Sequence, residues 1–385
     1  MEHIETHISL VDLDTDRVRK RLKAQRLPFV DFSTRALRQA ACEAEVEHNT
    51  PWAPGVYLGV VEVDGEPAVE MVRLDAACCL DHRVQAATVE QIRAVGAKIA
   101  SVLAENPPRP GAAHPSLVRS RIHENLDELE DLHGLPEGLV GRVRAGVDGA
   151  LARCAEELVA RAPLGRRLHG DLRVEHVYLR PEGVTVLDGV AFDPSLAEGE
   201  PADDVAFLVM DLTCSFGRWD LEAPLWEAAG IDASADLRDL YVAHRALIRA
   251  KVGVLSDDPA AATRFLLHAL WRVLPASERP ALIAIGGLPG VGKSSLARQL
   301  ERFHGFEAVR SDVVRKQTDD PPDYSDEGRT RVYAQVFEAA KAQGILTVAI
   351  GDAGNEVGFG AFADLIRENL PFGKKCRCPC GAGTA

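Results

Sequence analysis

No long apolar run occurs in the 385-residue chain. None approaches the ~18 consecutive apolar residues that would span a bilayer, and the opening stretch MEHIETHISL lacks the apolar centre of a secretion signal. Neither secretion nor a membrane span is expected, and a cytoplasmic location follows as an expectation. Positive charge is also in deficit. The chain has 44 Lys and Arg against 58 Asp and Glu, a net charge of −14. Such a balance gives no support to a nucleic-acid or anionic-membrane partner, and any anionic ligand must find its cations locally. A disulfide framework is missing too. Cys42, Cys78, Cys79, Cys154 and Cys214 are scattered in apolar settings and read as reduced core thiols. Cys376, Cys378 and Cys380 are clustered but have no clear fourth ligand, which makes a poor zinc site. What remains is an ordinary soluble composition, 46% hydrophobic and 26% charged, in a chain long enough for two or three domains.

The most informative stretch is Ala281–Gln299. An apolar run over Ala281–Ile285 reads as a buried parallel strand. It leads into Gly287-Leu288-Pro289-Gly290-Val291-Gly292-Lys293-Ser294-Ser295, which fits G-x-x-x-x-G-K-[ST] and opens a helix. The glycines let successive backbone N–H groups turn inward as an anion nest at a helix N-terminus. Lys293 would reach the β- and γ-phosphates of ATP, and the Ser294 hydroxyl would be a Mg²⁺ ligand.

Before this stretch the chain changes character once. Strands are expected at His3–Val11 and Arg17–Leu22, joined by a turn at Asp12–Asp16, and a helix at Thr34–His48. A hairpin is expected at Val56–Val63 and Ala68–Leu74 around Asp64-Gly65. Helices follow at Thr88–Ala104, 116–132, 138–161 and 236–275. The Pro-rich segment Asn106–Pro115 reads as a loop between lobes. Between the helices, LHGDLRVEHVYLRPEGVTVLDGVAFD at Leu168–Asp193 reads as a loop and a hairpin. Asp171 sits before the hairpin and Asp188 after it. Two carboxylates facing one cleft suit phosphoryl transfer, in which one takes the hydroxyl proton and another holds Mg²⁺ on the phosphates.

These residues resemble the aminoglycoside phosphotransferase-like, protein-kinase-like superfamily, whose catalytic loop reads H-G-D-L-x-x-x-N. The resemblance implies that Asp171 is the catalytic base and Asp188 the metal-binding aspartate. The family's magnesium-binding Asn falls on His176, the positional metal ligand here, although Mg²⁺ prefers oxygen to imidazole. The nucleotide-binding lysine is expected in Val18–Lys23, with Lys20 first and Lys23 second, and its Glu partner is Glu43 or Glu45. His169 is expected to orient backbone by hydrogen bonding. Arg245, Arg249 and Lys251 on one helix are a scaffold or an anion-binding face. Asp203–Leu212 resembles that family's helix after the metal aspartate, and Glu5–Ser9, Phe29–Thr34 and Tyr57–Val61 are similar to a subgroup of bacterial proteins in which this domain precedes a small P-loop kinase domain.

The second domain resembles small-molecule and nucleic-acid-end kinases of the P-loop class, of AAA-type or gluconate-kinase-like kind. There R-S-D-x-x-R follows strand two, here Arg310–Arg315. The resemblance implies that Asp312 positions or deprotonates the acceptor hydroxyl and Arg315 binds phosphate or substrate. A helix is expected at Gly328–Gln343 and a strand at Ile345–Ile350, with Asp352 placed as a second metal carboxylate. From residue 343 onward GILTVAIGDAGNEVGFG and the C-x-C-x-C segment resemble part of the D-glutamate cyclase family instead.

The expected architecture is an α+β two-lobed kinase-like domain (1–275), followed by an α/β P-loop domain with a parallel sheet cut short (280–342) and a cyclase-like fragment (343–385). The expected function is ATP- and Mg²⁺-dependent phosphotransfer to a small hydroxyl compound. A nucleotide-binding regulator without transfer and a D-glutamate cyclase-type lyase are the alternatives.

Overall fold

A computed structural model describes residues 2–27, 30–193, 196–275, 282–287, 293–304, 307–318, 323, 325–343 and 347–352. Two compact units divide the chain, Met1–Arg279 and Pro280–Ala385.

The first unit begins with strands β1 (Glu2–Glu5), β2 (Ser9–Leu13), β3 (Arg17–Leu22), β4 (Tyr57–Val63) and β5 (Glu66–Val72). They form one antiparallel sheet in the order β1-β2-β3-β5-β4. The single strand expected at His3–Val11 is in fact two. The Thr6 hydroxyl accepts from the Ser9 N–H at 2.9 Å and the Thr6 N–H bonds the Ser9 carbonyl at 2.9 Å, closing a turn there. Such local side-chain bonds offer the backbone an alternative to the ladder. The β4–β5 turn is as expected: Asp64 and Gly65 both have positive φ, 54° and 79°, as a two-residue hairpin turn requires.

Helix α1 (Arg35–Asn49) crosses between β3 and β4 in sequence and is capped by the Thr34 hydroxyl. Its buried Arg38 forks onto Glu66 at the start of β5 at 2.7 Å, which fixes the helix against the sheet.

Helices α2 (Val89–Glu105), α3 (Pro115–Asp131), α4 (Leu139–Arg153) and α5 (Ala155–Arg161) build the second lobe. Thr88 and Gln91 form a capping box on α2. The helix expected over 138–161 is interrupted at Cys154, whose backbone leaves helical values at φ −89°, ψ 2°. Hairpin strands β6 (Val177–Arg180) and β7 (Gly183–Val186) follow. Next come α6 (Pro201–Met210), α7 (Glu222–Ala228), α8 (Ala235–Leu255) and α9 (Pro259–Val273). Every residue of α6 is buried, so it is the axle of the lobe. The helix expected over 236–275 is two, because Asp257 turns left-handed (φ 58°) and Asp258 caps α9 before its Pro259.

In the second unit, β8 (Leu282–Gly287), β9 (Glu307–Arg310) and β10 (Thr347–Asp352) form a parallel sheet in the order β8-β10-β9. Helices α10 (Lys293–His304), α11 (Ser311–Thr318) and α12 (Asp326–Gln343) complete it. Val309, Val332, Tyr333 and Val336 form its small core. The strand that carries Ala308–Arg310 gives way directly to helix α11, so Asp312 and Arg315 stand on a helix. Asp312 in its first turn and Arg315 with Lys316 in its last suit the helix dipole. Residues 353–385, with most of the cyclase-like stretch and Cys376, Cys378 and Cys380, lie outside the described residues. Among the described residues no helix is long and apolar enough to cross a membrane.

Candidate active site

Three distant segments of the first unit meet at Lys20. Its Nζ, on β3, donates to Glu45 Oε1 on α1 at 3.0 Å and to Asp188 Oδ1, just past the hairpin, at 2.8 Å. Burial opposes the ammonium charge, but the Glu45 and Asp188 carboxylates outweigh it and hold the Lys20 pKa well above its usual value. The Lys20 charge in turn holds Asp188 down to about 2. Glu45 stays raised because burial exceeds the help it gets from Lys20. The structure thus separates the paired candidates. Lys23 bonds Glu5 and the Thr6 carbonyl on the exposed edge, and Glu43 accepts from Gln39 on the outer face of α1.

Asp188 adopts a left-handed backbone, φ 61°, which Asp tolerates at modest cost. Its N–H donates to the Tyr57 hydroxyl at 3.1 Å. The next residue, Gly189, is clamped by Asn49 of α1, whose Oδ1 accepts the Gly189 N–H at 2.6 Å and whose Nδ2 donates to its carbonyl at 3.3 Å. A Cβ at Gly189 would meet His48 Nε2 at 2.8 Å, so only glycine fits.

The loop carrying Asp171 is tied down from below by α6. Asp204 accepts the N–H groups of His169 at 2.8 Å and Gly170 at 3.0 Å. Burial raises the Asp204 carboxyl to about 6 despite the Arg245 charge. Asp203 takes a fork from Arg245, with both bonds at 3.0 Å, and a bond from His244 at 3.1 Å. Burial works against its charge, but Arg245 and His244 bring its pKa well below the carboxylate range. Arg245 also donates to the Gly170 carbonyl at 3.3 Å. Beyond α6 the chain widens into a π turn over Asp211–Ser215. Such single-turn insertions recur at functional sites. Here it presents Asp211 to the Val174 N–H at 3.3 Å and to Arg173 Nε at 3.5 Å. Asp171 itself is left with a partly open carboxylate.

His169 donates from Nε2 to the Leu187 carbonyl at 2.9 Å and stands edge-on to Trp52. Burial drives its pKa down to about 3, so the ring is neutral. His176 donates from Nδ1 to the Asp171 carbonyl at 2.8 Å. Its position therefore braces the loop. A nitrogen donor already committed on one side fits Mg²⁺ poorly. Asp188, with half its side chain open to solvent, offers the hard oxygen that Mg²⁺ takes. Among the described residues no group of three His, Cys, Asp or Glu side chains is arranged to hold a metal ion.

In the second unit Gly287 ends β8, and Lys293, Ser294 and Ser295 open α10. Leu288, Pro289, Gly290, Val291 and Gly292 lie outside the described residues. Asp352 ends the central strand β10 in register with Gly287, at the strand ends where ligands of parallel sheets bind. On α11, Asp312 is exposed and Arg315 buried.

Sequence reasoning had no role for Tyr57, Asn49, Asp204 or Asp211. The signal available for the last two was a set of aspartates in an otherwise apolar helix.

The first unit is thus a two-lobed fold with a lysine–glutamate–aspartate bridge across its cleft, and the second a parallel α/β fold. Residues 282–355 match the AAA domain family. Residues 330–385 match the C-terminal part of the D-glutamate cyclase-like family, so strand β10 falls within both matches. The uncharacterized protein Rv2004c of Mycobacterium tuberculosis (strain ATCC 25618 / H37Rv) is 31% identical over 351 residues, covering 82% of this chain and 68% of the relative. The uncharacterized protein Mb2027c of Mycobacterium bovis matches to the same extent. The chain belongs to the family of these mycobacterial proteins. Among solved structures, the GDP and kanamycin complex of APH(2")-IIia aligns with a TM-score of 0.47 and 15% identity, over 70% of this chain and 91% of that one. A choline/ethanolamine kinase family protein from Mesorhizobium loti gives a TM-score of 0.45 and 18% identity, over 71% and 91%. At such scores the chemistry rests on the residues alone.

Proposed function

We propose that the chain is an ATP-dependent phosphotransferase acting on a small hydroxyl compound, built from two nucleotide-binding units. The observation that carries this reading is Lys20 held between Glu45 and Asp188. A strand lysine paired to a helix glutamate beside a metal aspartate is the arrangement that positions phosphates in kinases. Lys20 then orients the nucleotide phosphates. Asp171 accepts the proton of the acceptor hydroxyl as its oxygen forms a bond to the γ-phosphorus and the bond to the β–γ bridging oxygen breaks, releasing ADP. Mg²⁺, when bound, neutralises phosphate charge, and Asp188 is the residue that would hold it. His176 stays a loop brace. In the second unit Lys293 and Ser294 serve the phosphates and their Mg²⁺, Asp312 activates an acceptor hydroxyl, and Arg315 supports the substrate. The location we propose is cytoplasmic.

A second reading, a nucleotide-binding regulator without transfer, draws on His176 standing where an oxygen ligand is expected.

Calorimetry of the full chain with ATP·Mg²⁺ tests both. Two sites are expected, one lost in Lys20→Met and the other in Lys293→Ala. Asp171→Asn keeps both sites while transfer by the first unit falls by roughly 10²–10⁴. Unchanged stoichiometry and affinity in Lys20→Met overturn the proposal. Two sites with no transfer to any acceptor favour the regulator.

A further inference from the structure

Helix α8 carries Arg245, Arg249 and Lys251, and two of these cations are spent. Arg245 is forked onto Asp203, and Lys251 pairs with Glu128 at 2.9 Å. Arg249, between them in sequence, makes no ion pair or hydrogen bond among the described residues. Its Nε is buried without an acceptor, while its guanidinium, half-buried, lies over the Phe265 ring at 5.8 Å. It is close enough to Asp171, Glu175, Asp211 and Arg173 to feel the charge of each.

Those neighbours have other work. Asp211 already accepts from Val174 and Ser215 and is ion-paired with Arg173. Glu175 accepts from Arg173. Asp171 faces the reacting hydroxyl in the reading above. Two guanidiniums therefore stand together beside the catalytic carboxylate, one of them without an acceptor. A half-buried cation left unpaired is costly, and its planar fork is shaped for a carboxylate or phosphate.

We propose that Arg249, with Arg173 beside it, receives an oxyanion of the acceptor, so that the first unit phosphorylates a small hydroxyl compound bearing a phosphate or carboxylate group. This rests on the assignment of Asp171 as the base. A cationic acceptor would meet two guanidiniums at the same place, and a neutral polyol would leave Arg249 unpaired.

The test measures transfer from ATP·Mg²⁺ by the full chain to glycerol 3-phosphate, D-glycerate, gluconate, glycerol, glucose, choline and kanamycin. The part of each rate that is lost in Lys20→Met belongs to the first unit. The expected result is first-unit transfer to one or more of the first three and none to the last four, with phosphate or carboxylate identified by which of those three reacts. In Arg249→Gln the acceptor KM rises roughly tenfold or more with kcat little changed, and Arg249→Lys recovers part of it. A purely structural role would lower the melting temperature and kcat together and leave the acceptor ranking unchanged. First-unit transfer to the neutral or cationic compounds, indifferent to Arg249→Gln, overturns the anionic class and leaves the phosphotransferase reading standing. If no compound reacts, calorimetry of the AMP-PNP-loaded chain with D-glycerate and glycerol 3-phosphate decides. Binding weakened by Arg249→Gln supports the proposal, and no binding overturns it. Loss of nucleotide binding itself, with Lys20→Met indistinguishable from wild type, sinks the phosphotransferase reading and this one with it.

Discussion

Replacing Lys20 by Met removes the cation that bridges Glu45 and Asp188, and the consequence for stability can be worked from its surroundings. The Lys20 and Glu45 side chains are 17% and 10% exposed, so the pair is largely desolvated. Breaking a buried pair from one side costs ~3–5 kcal/mol. The lower end applies here, because Asp188 remains half-open to water. For a unit of this size ~3 kcal/mol corresponds to a fall of ~6–12 °C in melting temperature. The pH dependence is sharper than the magnitude. Burial already raises Glu45, and only Lys20 holds it down. Without Lys20 its folded pKa rises further above the unfolded value. The cost of that buried carboxylate is therefore present in full above the folded pKa and is relieved as pH falls through it. Lys20→Met should be much more destabilising at pH 8 than at pH 5, and adding Glu45→Gln should restore most of the loss at pH 8. Tryptophan fluorescence is a clean probe, because Trp52, Trp219, Trp226 and Trp271 all belong to the first unit. Equal losses at both pH values, or additive effects in the double-mutant cycle, would refute the bridge as a coupled electrostatic unit.

Two further outcomes follow from the supports of the site. Gly189→Ala places a methyl 2.8 Å from His48 Nε2 and 3.0 Å from Asn49 Oδ1, both buried. It should cost ~1–3 kcal/mol by overpacking and weaken ATP·Mg²⁺ binding at the first site by moving Asp188; an unshifted melt and affinity would remove the Asn49 clamp from the account. Asp204→Asn leaves one of the His169 and Gly170 N–H groups without its acceptor, at ~1–3 kcal/mol. Asp204 binds its proton more tightly folded than unfolded, at about 6 against 3.8. Its titration therefore favours the fold as pH drops through that window, and the variant should lose this gain relative to wild type in parallel melts at pH 7 and pH 4.

The motifs that were legible are those whose chemistry is contiguous. The strand Leu282–Gly287 with the helix opening at Lys293, and the His169–Asp171 loop followed by Asp188, each fall within about two dozen residues. Lys20 was legible only to a choice of two, because a lysine's partner lies across the fold. The Lys20–Asp188 bond spans 168 positions, and no local spacing encodes it. The turn at Thr6–Ser9 was hidden for the opposite reason. Alternation continued through it while two hydroxyl-bearing side chains closed a local bond that periodicity does not weigh.

The least legible feature is the way α6 serves the loop. Asp204 and Asp211 are seven residues apart, two turns along one face. The first holds the backbone before Asp171 and the second holds the backbone and Arg173 after it. The π turn begins at Asp211 itself. A buried carboxylate costs several kcal/mol unless it is hydrogen-bonded, and a helix buried on every side has no solvent to spare for it. Both aspartates are therefore affordable only because the loop supplies the donors. Helix and loop are in that sense one structure. The apolar run around 204–212 and the charged loop at 169–175 look unrelated in sequence, yet each satisfies the polar groups the other cannot, which leaves Asp171 held from both sides with its own carboxylate partly open to solvent.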